Sequence, residues 1–464
     1  METAEEWVTA VSTLVTSNDD LVGSSEGLEC LLLQSFYQSN AGHLRKSWLS
    51  TRRAASLGQL MGIDRSNAPI RSCDPRSDQS KRPAPSLIWF KTVFCDRYLS
   101  LILGLPVVSL DNSFATEEAT RNDSPVEKLE KAYTVISGRI VERNRSKASE
   151  AYGMTQSIDC EIGAASKIMA SAWWNQPELD PHGTPLQIIT RMRQLLLQLH
   201  YHGLLIFLHL PYMLRDATES RYDYSKATCL RSSREVLVRF ISFRSVNLTA
   251  YSCRHVDYAS LIAAMTLLLG YLGQSGTGVD DLVIEQRKED RRLICETRQK
   301  MVDISVANHD KLSAESADII KQLLPIIDKA DSPDMLQRSD SQGLLQLVIP
   351  YLGRINIKPG ASQAPTSERL ESHPSILCCS GSINGLLSID SSLQQMPPDA
   401  DFFAPIDGGE SVPGMMLEGD GDDLFSFPGL TAAADDWAFQ GIDTAYWSLV
   451  SSGLNDGSGT DAVM

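Results

Sequence analysis

Apolar residues recur three and four positions apart as far as about residue 330, which is the spacing of one buried face of an α-helix. Two such runs, Leu28 to Tyr37 and Leu44 to Met61, are separated by a short Asn-Ala-Gly turn and predict a helical hairpin. A third run, Leu87 to Ile102, is followed by Gly104 and Pro106, residue types that end helices. The opening of the chain therefore predicts three helices.

Two short sequence motifs predict where helices begin. Ser124-Pro125-Val126-Glu127 has the order of a capping box, and an apolar stripe follows it to Ile140. Thr184-Pro185-Leu186-Gln187 repeats the device ahead of the most apolar stretch, Leu195 to Leu214. Gln198, three histidines and a proline interrupt that stretch, so it predicts a buried helix and no membrane span.

The remaining pattern predicts an all-α body. Further helical runs cover about 225 to 242, 257 to 272, 281 to 308 and 312 to 327, and alternating strand patterns are nearly absent. We expect a bundle or stack of about ten to fourteen helices over residues 1–358. Beyond Lys358 the composition shifts to Ser, Pro, Gly and Asp, which predicts a disordered tail over residues 359–464.

Charge is distributed unevenly between these two parts. The net charge of the chain is −16, and residues 370–464 contain 15 acidic residues and no Lys or Arg. Residues 1–369 are left with 43 acidic and 42 basic residues, so this body is no electrostatic platform for nucleic acid or membrane. The nine scattered cysteines and the absence of a charged-then-apolar leader predict reduced thiols in cytosol or nucleus.

The sequence offers no set of residues for catalysis, cofactor binding or metal binding. Phosphate-binding glycine loops and the Gly-x-Ser-x-Gly nucleophile elbow are absent, and Asp19-Asp20 and Asp280-Asp281 lack the third carboxylate of a magnesium site. His200, His202 and His209 are spaced by two and seven, which does not place two imidazoles on one metal ion. We therefore expect satisfied core histidines, no cofactor and no enzyme.

Two segments carry a family resemblance. Residues 27–65 (GLECLLLQSFYQSNAGHLRKSWLSTRRAASLGQLMGIDR) and the string Asp96 to Pro106 (DRYLSLILGLP) resemble the fungal-specific transcription factor domain, the middle homology region of the binuclear zinc cluster regulators. Residues 198–215, 254–272 and 349–353 fit looser landmarks of that family. The resemblance implies an all-α regulatory domain in the nucleus, and it implies packing and turn roles for the landmark residues Trp48, Arg97, Tyr98, Gly104 and Pro106. Such regulators commonly govern secondary metabolism or nutrient use.

The chain departs from that family in one respect. Members usually carry a six-cysteine zinc cluster, and this sequence contains no Cys-x-x-Cys. The resemblance therefore implies contact with DNA only through a missing N-terminal zinc cluster or through a partner. Either the sequence begins after a DNA-binding segment, or the protein works through other regulators. A homodimer or heterodimer is compatible with both.

The acidic tail contains the residues that we expect to bind a partner. Eight aromatic residues lie between Phe402 and Trp447, several of them beside aspartates. Acidic neighbours keep such side chains solvated, so they can dock as a short induced helix into a coactivator groove. The predicted contact residues are Leu424, Phe425, Trp437, Phe439, Tyr446 and Trp447. A merely solubilising tail is the alternative.

Three functions stay open at this point. The first is a transcriptional regulator, as an activator through its tail. The second is a protein without a DNA-binding segment that bridges or titrates other regulators. The third is a ligand-sensing helical module, which a well-formed pocket with a few convergent polar groups would favour.

Overall fold

Side-chain caps mark the start of several helices, such as Asn18 before the helix Asp19–Val22 and Ser24 before the helix Ser25–Asn40. A computed structural model describes residues 2–65, 82–180, 183–213, 220–250, 252–272 and 281–330, together with four short strands between residues 345 and 432. In this part of the chain there are twelve α-helices: α1 Glu2–Val11, α2 Asp19–Val22, α3 Ser25–Asn40, α4 Leu44–Leu60, α5 Pro85–Leu103, α6 Pro125–Asn144, α7 Ala148–Ser166, α8 Pro185–Met213, α9 Asp223–Val246, α10 His255–Leu272, α11 Asp281–Asn308 and α12 Lys311–Ala330.

Both predicted capping boxes are confirmed. At the start of α6 the amide of Ser124 donates to Glu127 Oε2 at 2.8 Å, and the amide of Glu127 donates to Ser124 Oγ at 3.3 Å. At the start of α8 the amide of Thr184 donates to Gln187 Oε1 at 3.0 Å, and the reciprocal bond is 3.3 Å. Each box satisfies amide groups that have no acceptor within the helix.

Helices α3 and α4 form the predicted hairpin. Gly42 makes the turn with a φ of 90°, which favours glycine. Three buried hydroxyl groups hold the two helices together, with Ser35 Oγ lying 2.9 Å from Ser47 Oγ and 2.7 Å from Thr51 Oγ1. Because small side chains meet at this line, the two helices pack closely.

Four apolar clusters form the core of the described helices. One lies among α8 to α12, a second among α5 to α8, a third among α2 to α5, and a small fourth cluster joins α4, α5 and α10. Helix α8 contributes to two of them, through Leu195 and Ile206 on one side and Leu204 and Leu208 on another. A helix that is apolar on most sides is buried on most sides, so α8 is the central helix.

Short strands follow the last helix. Strands β1 Leu345–Ile349, β2 Gly353–Ile357, β3 Ser426–Phe427 and β4 Leu430–Ala432 form an antiparallel sheet in the order β1-β2-β4-β3. Leu345 pairs with Ile357, and Ile355 pairs with Ala432. The all-α prediction is confirmed for the helical part, whereas the sequence pattern predicted none of these strands. The domain boundary at residue 358 stays a prediction.

Candidate functional site

Helix α8 carries a proline in its last turn without breaking. Pro211 has no amide hydrogen, so the carbonyl of Phe207, four residues earlier, receives no hydrogen bond from within the helix. The guanidinium of Arg143, on α6, donates to that carbonyl at 3.1 Å from Nη2, and to Thr155 Oγ1 on α7 at 2.9 Å from Nη1. A buried arginine therefore replaces the missing backbone bond and ties α6 and α7 to α8.

A cavity of about 250 Å³ lies beside α8. Residues of α3, α5, α8 and α10 line it, together with Ser47 of α4 and Glu130 of α6. The lining is mostly leucine, isoleucine and aromatic side chains, among them Phe94 and Phe207. Its volume is close to the lower end of the roughly 300–1,000 Å³ of small-molecule sites.

A few polar side chains converge on this cavity. The ring centroids of Tyr98 and His200 are 6.1 Å apart, and those of Tyr98 and His255 are also 6.1 Å apart. Burial, with a smaller effect of His255, lowers the pKa of His200 to about 3. Burial, with a smaller effect of Arg244, lowers the pKa of His255 to about 4. Both imidazoles are therefore neutral at pH 7, and each can donate one hydrogen bond and accept another.

The prediction of satisfied core histidines is correct for one of the three histidines on α8 and wrong for the others. His209 contacts Ser225 and Asp159 through its two nitrogens. The buried Nε2 of His200 and the buried Nδ1 of His202 have no hydrogen-bond partner. The apolar neighbours of α8 supply too few polar groups for all three rings. His200 also lines the cavity described above.

Acid should destabilise the protein through these histidines. An unfolded chain binds protons at its histidines near pH 6.5, whereas the folded pKa values are about 3 for His200, about 3 for His202 and about 4 for His255. As the pH falls below about 6.5 the unfolded state binds more protons, so each ring removes up to about 1.4 kcal/mol of stability per pH unit.

Urea unfolding between about pH 7.5 and about pH 5.5 measures this effect, and the window stays clear of most carboxyl titration. The variant His202→Leu should have a shallower pH profile than the natural protein. A free energy of unfolding that does not change over this range would contradict the burial of neutral histidines.

Ser225, His209 and Asp159 form a chain of contacts that the sequence spacing did not indicate. Ser225 Oγ is 3.0 Å from His209 Nδ1, and His209 Nε2 is 3.1 Å from Asp159 Oδ1. Tyr224 donates to the other oxygen of Asp159 at 2.7 Å. Although burial alone would raise it, these bonds from His209 and Tyr224 keep the pKa of Asp159 below its ordinary value.

This serine, histidine and aspartate contact does not have the accessibility of a catalytic triad. Ser225 and His209 are each 1% exposed, so a substrate cannot reach the hydroxyl. The three residues come from α9, α8 and α7 in turn. The contact chain therefore stabilises the packing of these three helices.

The landmark residues have the packing and turn roles implied by the resemblance. Gly104 ends α5 with a φ of 66°, and the carbonyl of Pro106 accepts a hydrogen bond from Ser100 Oγ at 3.0 Å. Trp48 Nε1 donates to the same hydroxyl at 3.2 Å. Tyr98 is a landmark residue that also lines the cavity.

Gly203 is a cavity residue that the sequence analysis missed. It lies in the middle of α8 and lines the cavity, and a Cβ atom added to it would meet no atom within 4 Å. The signal that could have indicated it is a glycine inside an otherwise apolar helix. Glycine weakens a helix, so a glycine at such a position often has a packing or functional reason.

The predicted tail contacts Leu424, Phe425, Trp437, Phe439, Tyr446 and Trp447 lie outside the described residues. Within residues 2–330, apart from the gaps given above, no three His, Cys, Asp or Glu side chains are grouped as a metal site would require. None of the described helices has the length and apolarity to cross a bilayer.

Comparison with known proteins places the chain among fungal regulators. It is 43% identical over 488 residues to the transcription factor sdnS of Sordaria araneosa, covering 96% of this chain and 63% of that protein. It is 34% identical to the dehydrocurvularin biosynthesis regulator of Alternaria cinerariae, covering 96% and 67%. A regulator of the same description from Aspergillus terreus is 35% identical, with 94% and 66% covered.

The chain thus spans about two thirds of the length of these relatives, and 63% of the Sordaria protein. No protein-family model matches it, and no solved structure does. The similarity nevertheless extends over nearly the whole chain at identities well above chance, and it includes relatives named for regulating biosynthesis. The chain therefore belongs to the family of fungal transcription factors that contains these biosynthesis regulators.

Proposed function

We propose that the chain is the regulatory and activating part of a nuclear fungal transcription factor that controls biosynthetic genes. Relatives named as a transcription factor and as biosynthesis regulators support the gene class, because they match 94–96% of the chain. The described helices would correspond to the fungal-specific transcription factor domain. As a regulator, the chain would carry no catalytic activity and need no cofactor.

The activating role rests on the composition of the tail. Residues 370–464 contain 15 acidic residues and no Lys or Arg, and the tail also contains eight aromatic residues. Aspartates beside Trp437 and beside Leu424 and Phe425 keep these apolar side chains in water until a hydrophobic groove binds them. A coactivator with such a groove and a basic rim is the partner that this chemistry fits.

Contact with DNA would come from outside this sequence. Residues 1–369 are close to neutral, and the nine cysteines include no Cys-x-x-Cys pair. Protein segments that bind DNA without a partner neutralise several phosphates with clustered Lys and Arg. We therefore place DNA binding in a zinc cluster beyond the present sequence or in a partner regulator, with a homodimer or heterodimer as the active form.

A reporter assay tests the activating role. Residues 370–464 are fused to a heterologous DNA-binding domain, and Trp437, Phe439, Tyr446 and Trp447 are changed to Ala in a second fusion. We expect reporter expression from the natural tail and a loss of about tenfold or more in the variant, because aromatic side chains dominate docking energies.

The matched control changes Phe402 and Phe403 to Ala, since these aromatic residues lie outside the two predicted contact segments. This variant should keep most of the expression. Silence of the natural tail, at equal protein level, would overturn the activator proposal and favour a protein that bridges or titrates other regulators.

A further inference from the structure

The cavity beside α8 is not an ordinary gap in a helical core. Protein interiors are packed as densely as organic crystals, and few voids exceed the size of a water molecule. This cavity has a volume of about 250 Å³, and at Gly203 it reaches the backbone of the central helix. A Cβ atom added at that position would occupy part of the space without meeting any atom within 4 Å. The cavity therefore stays open at Gly203, where a residue with a side chain would have occupied part of it.

The lining has little charge to offer a bound ion. Among the residues that line the cavity, only Glu130 and Arg193 carry a full charge at pH 7, and Arg193 Nη2 lies 3.3 Å from Glu130 Oε2. The side chain of Arg193 is 48% exposed, so this pair lies where solvent meets the lining. An anion or cation inside would lose its hydration without gaining a counter-charge.

The interior does offer hydrogen bonds to a neutral group. His200 lines the cavity, and its buried Nε2 has no partner among the described residues. Tyr133 does not line the cavity, but its ring centroid lies 5.3 Å from that of His200 and its buried hydroxyl also has no partner. A buried polar group without a partner is uncommon in a protein core, where more than about 90% of such groups are paired.

We propose that this cavity binds a neutral, mostly apolar small molecule that carries a hydroxyl or carbonyl group, with His200 as its hydrogen-bond partner. The apolar body contacts Phe94 and Leu204, and its polar group lies on the side of His200. Two exposed lining residues, Phe36 of α3 and Arg193 of α8, mark where such a molecule would enter.

Binding would couple to the state of the helical body. The ligand would contact α3, α5, α8 and α10 together, and these helices belong to different apolar clusters. A molecule that binds the folded chain alone raises its stability by an amount that grows with concentration. The proposal goes beyond the activating role and does not depend on the tail.

A pair of fluorescent probes tests the chemistry. N-phenyl-1-naphthylamine is neutral, and 8-anilino-1-naphthalenesulfonate has the same rings with one added sulfonate. The purified full chain at pH 7.5 is titrated with each. We expect saturable binding of one equivalent of the neutral probe and an affinity for the sulfonate at least about tenfold weaker, because the lining cannot pair its charge.

Substitutions at Gly203 show where the probe binds. Gly203→Leu should abolish binding of the neutral probe while the melting temperature is kept or raised, since an added Cβ has room and the longer side chain would occupy part of the cavity. Gly203→Ala should weaken binding by about threefold or more, and this smaller substitution tests the site if the leucine variant does not fold. The control is Gly153→Ala on α7, because an added Cβ there also meets no atom within 4 Å and Gly153 is not among the residues that line the cavity.

His200→Phe tests the hydrogen bond. The natural protein should bind 2-naphthol about two- to tenfold more tightly than naphthalene, and the variant should lose that preference while keeping its affinity for naphthalene. Three results would overturn the proposal: no saturable binding of the neutral probe, equal binding of the sulfonate, or binding that survives in a folded Gly203→Leu variant.

Discussion

Replacing Arg254 by Met should lower the free energy of unfolding by about 3–5 kcal/mol, because it leaves a buried carboxylate without its counter-charge. Arg254 and Asp310 are 1% and 6% exposed. Two parallel bonds join them, Nη1 to Oδ2 at 2.6 Å and Nη2 to Oδ1 at 2.9 Å. The Nε of Arg254 also donates to the carbonyl of Asn40 at 3.1 Å. One side chain therefore ties α10 and α12 to the end of α3.

Urea unfolding of the two proteins measures the difference. Arg292→Ala is the matched control, since Arg292 contacts both Glu289 and Glu296 but lies in solvent, where ion pairs contribute little. A loss for Arg254→Met no larger than that of the control would show that the buried cluster is not a main source of stability. Because Asn40 and His255 line the cavity, the same variant should also weaken binding of the neutral probe.

A second large loss is expected at Arg97, where replacement by Met should cost about 3 kcal/mol. The guanidinium is 2% exposed and donates to four acceptors. These are Asn112 Oδ1 at 2.7 Å, Thr134 O at 3.2 Å, Ser109 O at 3.1 Å and Asp111 O at 2.8 Å. Three of them belong to the segment between α5 and α6, so Arg97 is one of the residues, together with Asp96 and Ser100, that hold this segment against the core.

Hydrogen exchange tests that account, because amides of residues 105–115 should exchange much faster in the variant while those of α9 and α10 change less. Arg97→Lys should recover little, since a single ammonium cannot reach the same set of acceptors. Arg121→Met, on the exposed surface of the same segment, is the control. Unchanged exchange in residues 105–115 would contradict the proposed role.

The two proposals for this regulator concern separate parts of the chain. The activating role rests on the acidic and aromatic residues of the tail, and the ligand site rests on the helical body. A regulator of biosynthetic genes with both properties would report on a small neutral molecule through its folded part and recruit partners through its tail. Either proposal can fail its own experiment while the other one still holds.

Several helices could not be predicted from the pattern. Helix α7 reads ASEAYGMTQSIDCEIGAAS, in which small and polar residues outnumber large apolar ones, and the sequence analysis gave no helix there. Ile158 and Ile162 are nevertheless fully buried, against α6 and α8. Two isoleucines four residues apart are enough to anchor a helix when the neighbouring surface is already apolar, and that surface comes from residues distant in the sequence.

The sequence by itself determined where most helices begin and end. A capping box such as Ser124 with Glu127, or a glycine such as Gly104 at a left-handed turn, acts through hydrogen bonds within a few residues, so its effect can be seen in a short string. The separation of the acidic tail from a neutral body is also a property of composition alone.

Only the tertiary structure decided which polar groups of α8 find partners. His200, His202 and His209 look alike in the sequence, yet His209 meets Asp159 and Ser225 while His200 faces a cavity. The hydrogen bond from Arg143 to the Phe207 carbonyl could not be predicted from the sequence either, since the two residues are 64 positions apart. Hydrogen bonds within a turn or a helix cap are fixed by neighbours along the chain, whereas burial and cavities depend on how distant helices pack. Periodicity predicts which face of a helix is buried, but it does not predict which residues cover that face.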